Sequence, residues 1–121
     1  MYIFSFEKLE VWKEGITLSK NIYQLTKKFP TSEKFGLVSQ LRRASNFISS
    51  NLAEGTSRIT NKDKAHFTTI SFSSTMEVLN HIILSKELQL ISEKEYLEIR
   101  EQIYKISNML NALMKSQLKN N

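Results

Sequence analysis

Between Leu37 and Gly55 the chain spaces Leu37, Leu41, Ala44, Ile48, Leu52 and Gly55 by 4-3-4-4-3 residues. At 100° per residue these positions fall on one face of a helix. A second line lies about a quarter-turn away: Gln40, Arg43, Phe47, Asn51, Glu54 and Arg58. The back of the helix is Ser39, Asn46, Ser50 and Ser57, and between Phe35 and Ser57 only Arg42, Arg43 and Glu54 are charged. A solvated helix face ordinarily carries Lys and Glu. Two readings are open. The face is an exposed serine-rich surface, or the helix packs on more than one side with Gln40, Arg43, Asn51 and Glu54 pairing across an interface. The cost of burying unpaired polar groups requires such pairing in the second case.

The rest of the chain also reads as helix. Three glycines and one proline leave few turns, and no run alternates with period two over a strand's length. The spacing predicts helices over about 8–28, 32–58, 62–89 and 92–117, in one domain spanning 1–121. Residues 1–6, MYIFSF, are apolar and read as an extended lead-in that packs on the bundle. In the first helix Val11, Leu18, Ile22, Leu25 and Phe29 make a stripe, widened by Trp12, whose bulk suits a core better than a ligand platform. Pro30 stops that helix. Thr31 or Ser32 caps the second helix, Thr60 the third with Asp63 in its first turn, and Ser92-Glu93-Lys94-Glu95 is a capping box for the fourth.

The third helix has two apolar stripes, Phe72, Met76, Leu79, Ile83 and Phe67, Ile70, Ser74, Val78, Ile82. From Ala65 to Ser85 its one formal charge is Glu77. The fourth helix repeats Tyr96, Ile99, Ile103, Ile106, Leu110 and Leu113, a bundle seam, before a polar tail over 116–121 that should fray. Helices one and four carry the charges of solvent-facing elements; two and three do not. A single small bundle cannot surround two helices, so other copies of the chain are the economical source of neighbours.

Composition excludes several classes of chemistry. There is no cysteine, hence no disulfide framework and no thiolate. No apolar run approaches the ~20 residues of a membrane helix. The first residues lack the basic start and continuous apolar core of a signal peptide, so a cytoplasmic location is expected. His66 and His81 lack metal-site spacing; Glu77 and His81, four apart, suit a hydrogen bond. No phosphate loop or nucleophile elbow is present, and neither a metal, a cofactor nor an enzymatic activity is expected.

Net charge is +5 and sits in the first half: residues 1–64 hold 11 Lys and Arg against 6 Asp and Glu, residues 65–121 hold 6 of each. Lys27, Lys28 and Lys34 flank the first turn; Arg58, Lys62 and Lys64 flank the second. In an up-down bundle these groups lie at opposite ends, and either is a candidate contact for nucleic-acid phosphates. Interleaving of aromatic with basic residues along the sequence is weak, which favours shape and phosphate contacts with structured RNA.

The motif residues resemble a family. Leu9-Glu10-Val11-Trp12, Phe29-Pro30, Glu33, Gly36-Leu37, Gln40, Arg42-Arg43-Ala44, Ile48, Asn51 and Ala53-Glu54-Gly55 match the pattern of the intervening-sequence proteins, encoded within large-subunit ribosomal RNA genes of some bacteria. Phe67, Ser74 and Glu77 match its later segment; Ser73 stands where the family usually has Gly and Phe47 where it often has Ser. The resemblance implies an all-α, up-down-up-down antiparallel four-helix bundle and a homopentameric ring. It assigns no settled activity. The accessory proteins of diversity-generating retroelements are also similar, which implies RNA or a reverse transcriptase as partner. The expected function is therefore a non-enzymatic, self-assembling scaffold that binds structured RNA through basic residues, the alternative being a protein–protein adaptor. Gln40, Arg42, Arg43, Asn51, Glu54 and Glu77 are the expected structural and oligomer network.

Overall fold

A computed structural model describes residues 1–119. Four helices carry the fold: α1 (Glu10–Thr26), α2 (Ser39–Thr56), α3 (Asn61–Glu87) and α4 (Glu93–Lys119). No strand forms among the described residues. Each helix packs antiparallel on the next, and α4 closes on α1, giving the up-down-up-down bundle.

The periodic stripes meet at the centre. Val11, Leu18, Ile22 and Leu25 of α1, Leu41, Ala44, Ile48 and Leu52 of α2, Val78 and Ile82 of α3, and Ile99, Ile103, Ile106 and Leu110 of α4 form one buried cluster. Trp12 packs half-buried against it. Burying side chains of this size is the main stabilising contribution, about 1.5–3 kcal/mol each.

α3 departs from the simple pattern. Its inward line is rich in hydroxyls: Thr68, Ser71, Ser74, Thr75 and Ser85 are buried. Most of these are satisfied locally. Thr68, Thr75 and Ser85 donate to the carbonyls of Lys64, Ser71 and His81 at 3.1, 2.8 and 2.7 Å. Ser71 instead donates across to the Ile48 carbonyl of α2 at 2.9 Å. Small side chains let the two backbones approach. A Cβ on Gly55 would stand 3.0 Å from the Phe67 Cβ, so glycine is required at that crossing. The larger apolar groups of α3 are turned outward: Met76, Ile83 and Leu84 are exposed.

The helix boundaries correct the sequence expectation in four places. The second helix does not run unbroken from about residue 32. A short 3-10 turn, Thr31–Glu33, and a wide π-type turn, Lys34–Val38, precede α2. Gly36 leaves helical geometry at φ −106° and ψ −110°, and the Glu33 carboxylate accepts the Leu37 N–H at 3.3 Å. The lead-in is not packed away. Ser5–Lys8 is a 3-10 turn, and Met1 to Phe4 stay exposed. The fourth helix continues to Lys119, its last turn tied to α3 by a hydrogen bond between Thr68 Oγ1 and the Gln117 side-chain amide at 2.8 Å; Asn120 and Asn121 of the expected fraying tail lie outside the described residues.

The third helix ends at Glu87 rather than at Gln89. Gln89 adopts φ 61°, its N–H donates to the Lys86 carbonyl, and the Leu90 N–H reaches the Ser85 carbonyl at 2.9 Å. This is a Schellman cap with glutamine where glycine is normal. A side chain in the left-handed region costs on the order of 1 kcal/mol. Gln89→Gly is therefore expected to stabilise the chain by about 0.5–1 kcal/mol in urea unfolding. A loss of stability would mean that the Gln89 side chain makes a compensating contact. α4 then starts on its capping box: the Ser92 N–H donates to Glu95 at 2.8 Å and the Glu95 N–H to Ser92 Oγ at 3.1 Å.

Candidate self-association face and basic end

The two neighbouring arginines of α2 point to different helices. Arg42 turns toward α1, donating to Thr26 Oγ1 at 3.0 Å and to the Tyr23 carbonyl at 3.4 Å, with its guanidinium 4.6 Å from the Tyr23 ring centre. It thus closes the C-terminal end of α1, where carbonyls lack helical partners. Arg43 turns toward α3. It hydrogen-bonds Gln40 at 2.7 Å, forms an ion pair with Glu77, and lies 5.3 Å over the Phe47 ring. His81 Nε2 completes the row, 3.3 Å from Glu77. Its Nδ1 is buried without a hydrogen-bond partner among the described residues, as is Ser19 Oγ.

Gln40, Arg43, Glu77 and His81 therefore bridge α2 and α3 within one chain. Arg43 and Glu77 side chains are 40% and 34% exposed, so the pair contributes at most about 1 kcal/mol in an isolated chain. It also cancels the formal charges in the middle of the α2–α3 face. Asn51 donates to the Phe47 carbonyl at 2.8 Å and stays local. Glu54 is exposed, distant from Arg43, and has no ion-pair partner among the described residues. Exposed Phe47 lies under Arg43 and exposed Leu84 shares the Glu77 side of α3, while exposed Met76 and Ile83 lie about 100–120° further round α3, on its outer side. The row is thus internally neutralised, and it borders an outer side of α3 that is apolar because the helix buries its hydroxyls. Large apolar groups grouped on a surface mark interaction sites.

The basic residues separate by end. Lys27, Lys28 and Lys34 lie at the α1–α2 connection. Lys28 is engaged by Glu95, whose carboxyl is held below the usual carboxylate range by that lysine and by the Ser92 N–H. The Lys34 ammonium sits 5.5 Å over the Phe35 ring. Arg58, Lys62 and Lys64 lie at the opposite end. Arg58 stacks 5.2 Å over Phe67, Lys62 is exposed and Lys64 is half-buried. Sequence reasoning missed two companions. Because α4 extends to Lys119 and Gln117 is bonded to Thr68, Lys115 and Lys119 join this same end. A tail read as frayed gave no signal of that.

An open groove of about 1020 Å³ follows α1 and α4. Three polar bridges span it: Lys105 to Glu14 at 2.9 Å, Asn21 to Gln102 at 3.1 Å, and Lys28 to Glu95. These tie α1 to α4 along the groove. Among the described residues no three His, Cys, Asp or Glu side chains cluster for a metal ion. No described helix is long and apolar enough to cross a membrane.

Comparison with known proteins agrees with the fold. A crystal structure of a protein of unknown function from the S23 ribosomal protein family of Bacteroides thetaiotaomicron VPI-5482 superposes with a TM-score of 0.80. The two share 20% identity over 87% of this chain and 95% of that one. None of the curated proteins compared matches significantly. The family model of the 23S rRNA-intervening sequence protein matches residues 7–112. The motif from Leu9 to Gly55, the four-helix topology and this match lead to one assignment: the chain belongs to the 23S rRNA-intervening sequence protein family.

Proposed function

We propose that the protein is a cytoplasmic, non-enzymatic scaffold that assembles with copies of itself, as a pentameric ring, and binds nucleic acid through its basic end. The observation that carries the assembly is the inversion on α3, which buries five hydroxyl side chains and exposes Met76, Ile83 and Leu84. A second copy covering α3 from its outer side across to the α2–α3 row removes that apolar surface from water. Arg43 and Glu77, weak while exposed, become a desolvated pair in that interface. Glu54 finds its partner there, on another copy. The number five comes from the family resemblance, and the family's association with 23S ribosomal RNA supports ribosomal RNA as the chemical class of partner.

Phosphate binding rests on Arg58, Lys62, Lys64, Lys115 and Lys119 meeting at one end, offset locally by Asp63 and Glu54. Lys27, Lys28 and Lys34 are a weaker candidate, because Glu95 already engages Lys28. Cyclic symmetry repeats the cluster around a rim, and weak contacts add through effective concentration. The test is the triple change Arg58→Gln, Lys62→Gln and Lys64→Gln, with assembly verified by sedimentation. Binding to an RNA hairpin with unpaired flanks should weaken, and the logarithmic salt slope should become shallower by about 2 for three lost phosphate contacts. If the wild type retains no RNA even at low salt, the nucleic-acid role fails and a protein–protein adaptor takes its place.

A further inference from the structure

We infer that the basic end binds single-stranded nucleic acid, its bases stacking on Tyr2 and Phe4 and its phosphates meeting Arg58, Lys62 and Lys64. This deepens the nucleic-acid reading above and rests on it. The key feature is the N-terminal arm. Tyr2 is 75% and Phe4 57% exposed, yet neither is loose. The Phe4 N–H donates to the Glu7 carboxylate at 3.0 Å, and the Glu7 N–H donates back to the Phe4 carbonyl at 3.1 Å. The rings form a chain: Tyr2 edge-on to Phe4 at 5.0 Å, Phe4 stacked on Phe6 at 6.4 Å, Phe6 edge-on to Trp12 at 5.2 Å. Trp12 packs on the core. The exposed rings are therefore anchored, and their ordering cost is met in folding rather than on binding.

The topology brings this platform to the cations. Gly15 faces Ile48 and Ser49, which fixes α1 against α2 in antiparallel register. The start of α1 thus reaches the end of α2, and the Ser5–Lys8 turn packs there. Arg58 and the 95%-exposed Ile59 follow directly, then Lys62 and Lys64 in the first turn of α3. Lys115 and Lys119 arrive from α4. The aromatic and basic groups come from residues 2–4, 58–64 and 115–119, so no window of sequence reveals the combination.

Exposed aromatic rings select for unpaired bases. A single strand presents both phosphates and base faces; a duplex hides its base faces in the stack. Cations serve either form, whereas Tyr2 and Phe4 add affinity only for the first. Negative charge on the strand complements the surplus of lysine and arginine at this end.

Anisotropy with a labelled oligouridine strand of about 20 nucleotides, and with an RNA duplex of equal length, tests the inference on the full chain. The wild type should bind the strand about tenfold more tightly than the duplex. Tyr2→Ser with Phe4→Ser should lose about tenfold or more on the strand and leave duplex binding unchanged. The salt slope should not move, because neither ring is charged. Phe35→Ser, an exposed ring at the opposite end, should bind as the wild type does. Wild-type strand affinity in the double variant overturns the inference, as does a duplex bound as tightly as the strand. A double variant of lower mass also overturns it, making the arm a contact between copies. Duplex binding without strand preference leaves the broader nucleic-acid role standing; absence of binding to either RNA removes both.

Discussion

If the chain assembles as proposed, Met76→Glu together with Ile83→Glu is expected to yield a folded monomer. Both side chains are exposed on the isolated chain, at 36% and 37%, so neither substitution opens a cavity or strands a charge in the core. They are seven residues apart, two turns along one side of α3. In an assembly they would be desolvated, and each glutamate would be buried there without a designed partner. An unpaired buried charge costs several kcal/mol, and symmetry multiplies it by the number of interfaces. Circular dichroism should retain its helical signal while sedimentation reports a single chain. An unchanged mass would place the contact between copies elsewhere on the bundle.

The second large effect concerns the chain itself. Ile48 is fully buried, its Cγ2 lies 3.4 Å from where a Cβ of Gly15 would stand, and its carbonyl accepts the Ser71 hydroxyl. It thus sits where α1, α2 and α3 meet. Ile48→Ala removes buried methyl groups at a place where neighbouring backbones restrict collapse. A loss of about 2–5 kcal/mol is expected. For a chain of this size that lowers Tm by roughly 10–20 °C. A loss below about 1 kcal/mol would mean that the three helices close the cavity, contrary to their tight crossing.

The core was legible in the sequence because helical period and burial coincide. The line from Leu37 to Gly55 is buried throughout, and the α4 seam from Tyr96 to Leu110 likewise. The capping box at Ser92 and Glu95 was equally local, and so readable. α3 was harder. Thr68, Ser71, Thr75 and Ser85 look like surface residues until their hydroxyls are seen bonded to backbone carbonyls. That pairing lets them occupy the core and displaces Met76 and Ile83 outward. The break at Gly36 was hidden for a related reason: the Glu33 side chain, not a backbone carbonyl, takes the Leu37 N–H.

The candidate site divides the same way. Gln40, Arg43 and Glu77 could be picked out because charges are rare on α2 and α3. That Arg42 would leave them for α1 depends on Tyr23 and Thr26, which only the fold brings near. Arg58, Lys62 and Lys64 were visible as a cluster in sequence. That the start of α1 and the C-terminal turns of α4 share their end of the bundle was not, since an up-down topology brings these elements together without leaving a local signature.

Sedimentation velocity of the wild-type protein at micromolar concentration tests the central claim most directly. Self-assembly predicts one species several times heavier than the 14.1 kDa chain, about 70 kDa for five copies. A stable 14.1 kDa species across that range would contradict it, leaving the exposed apolar side of α3 unpaired by its own kind.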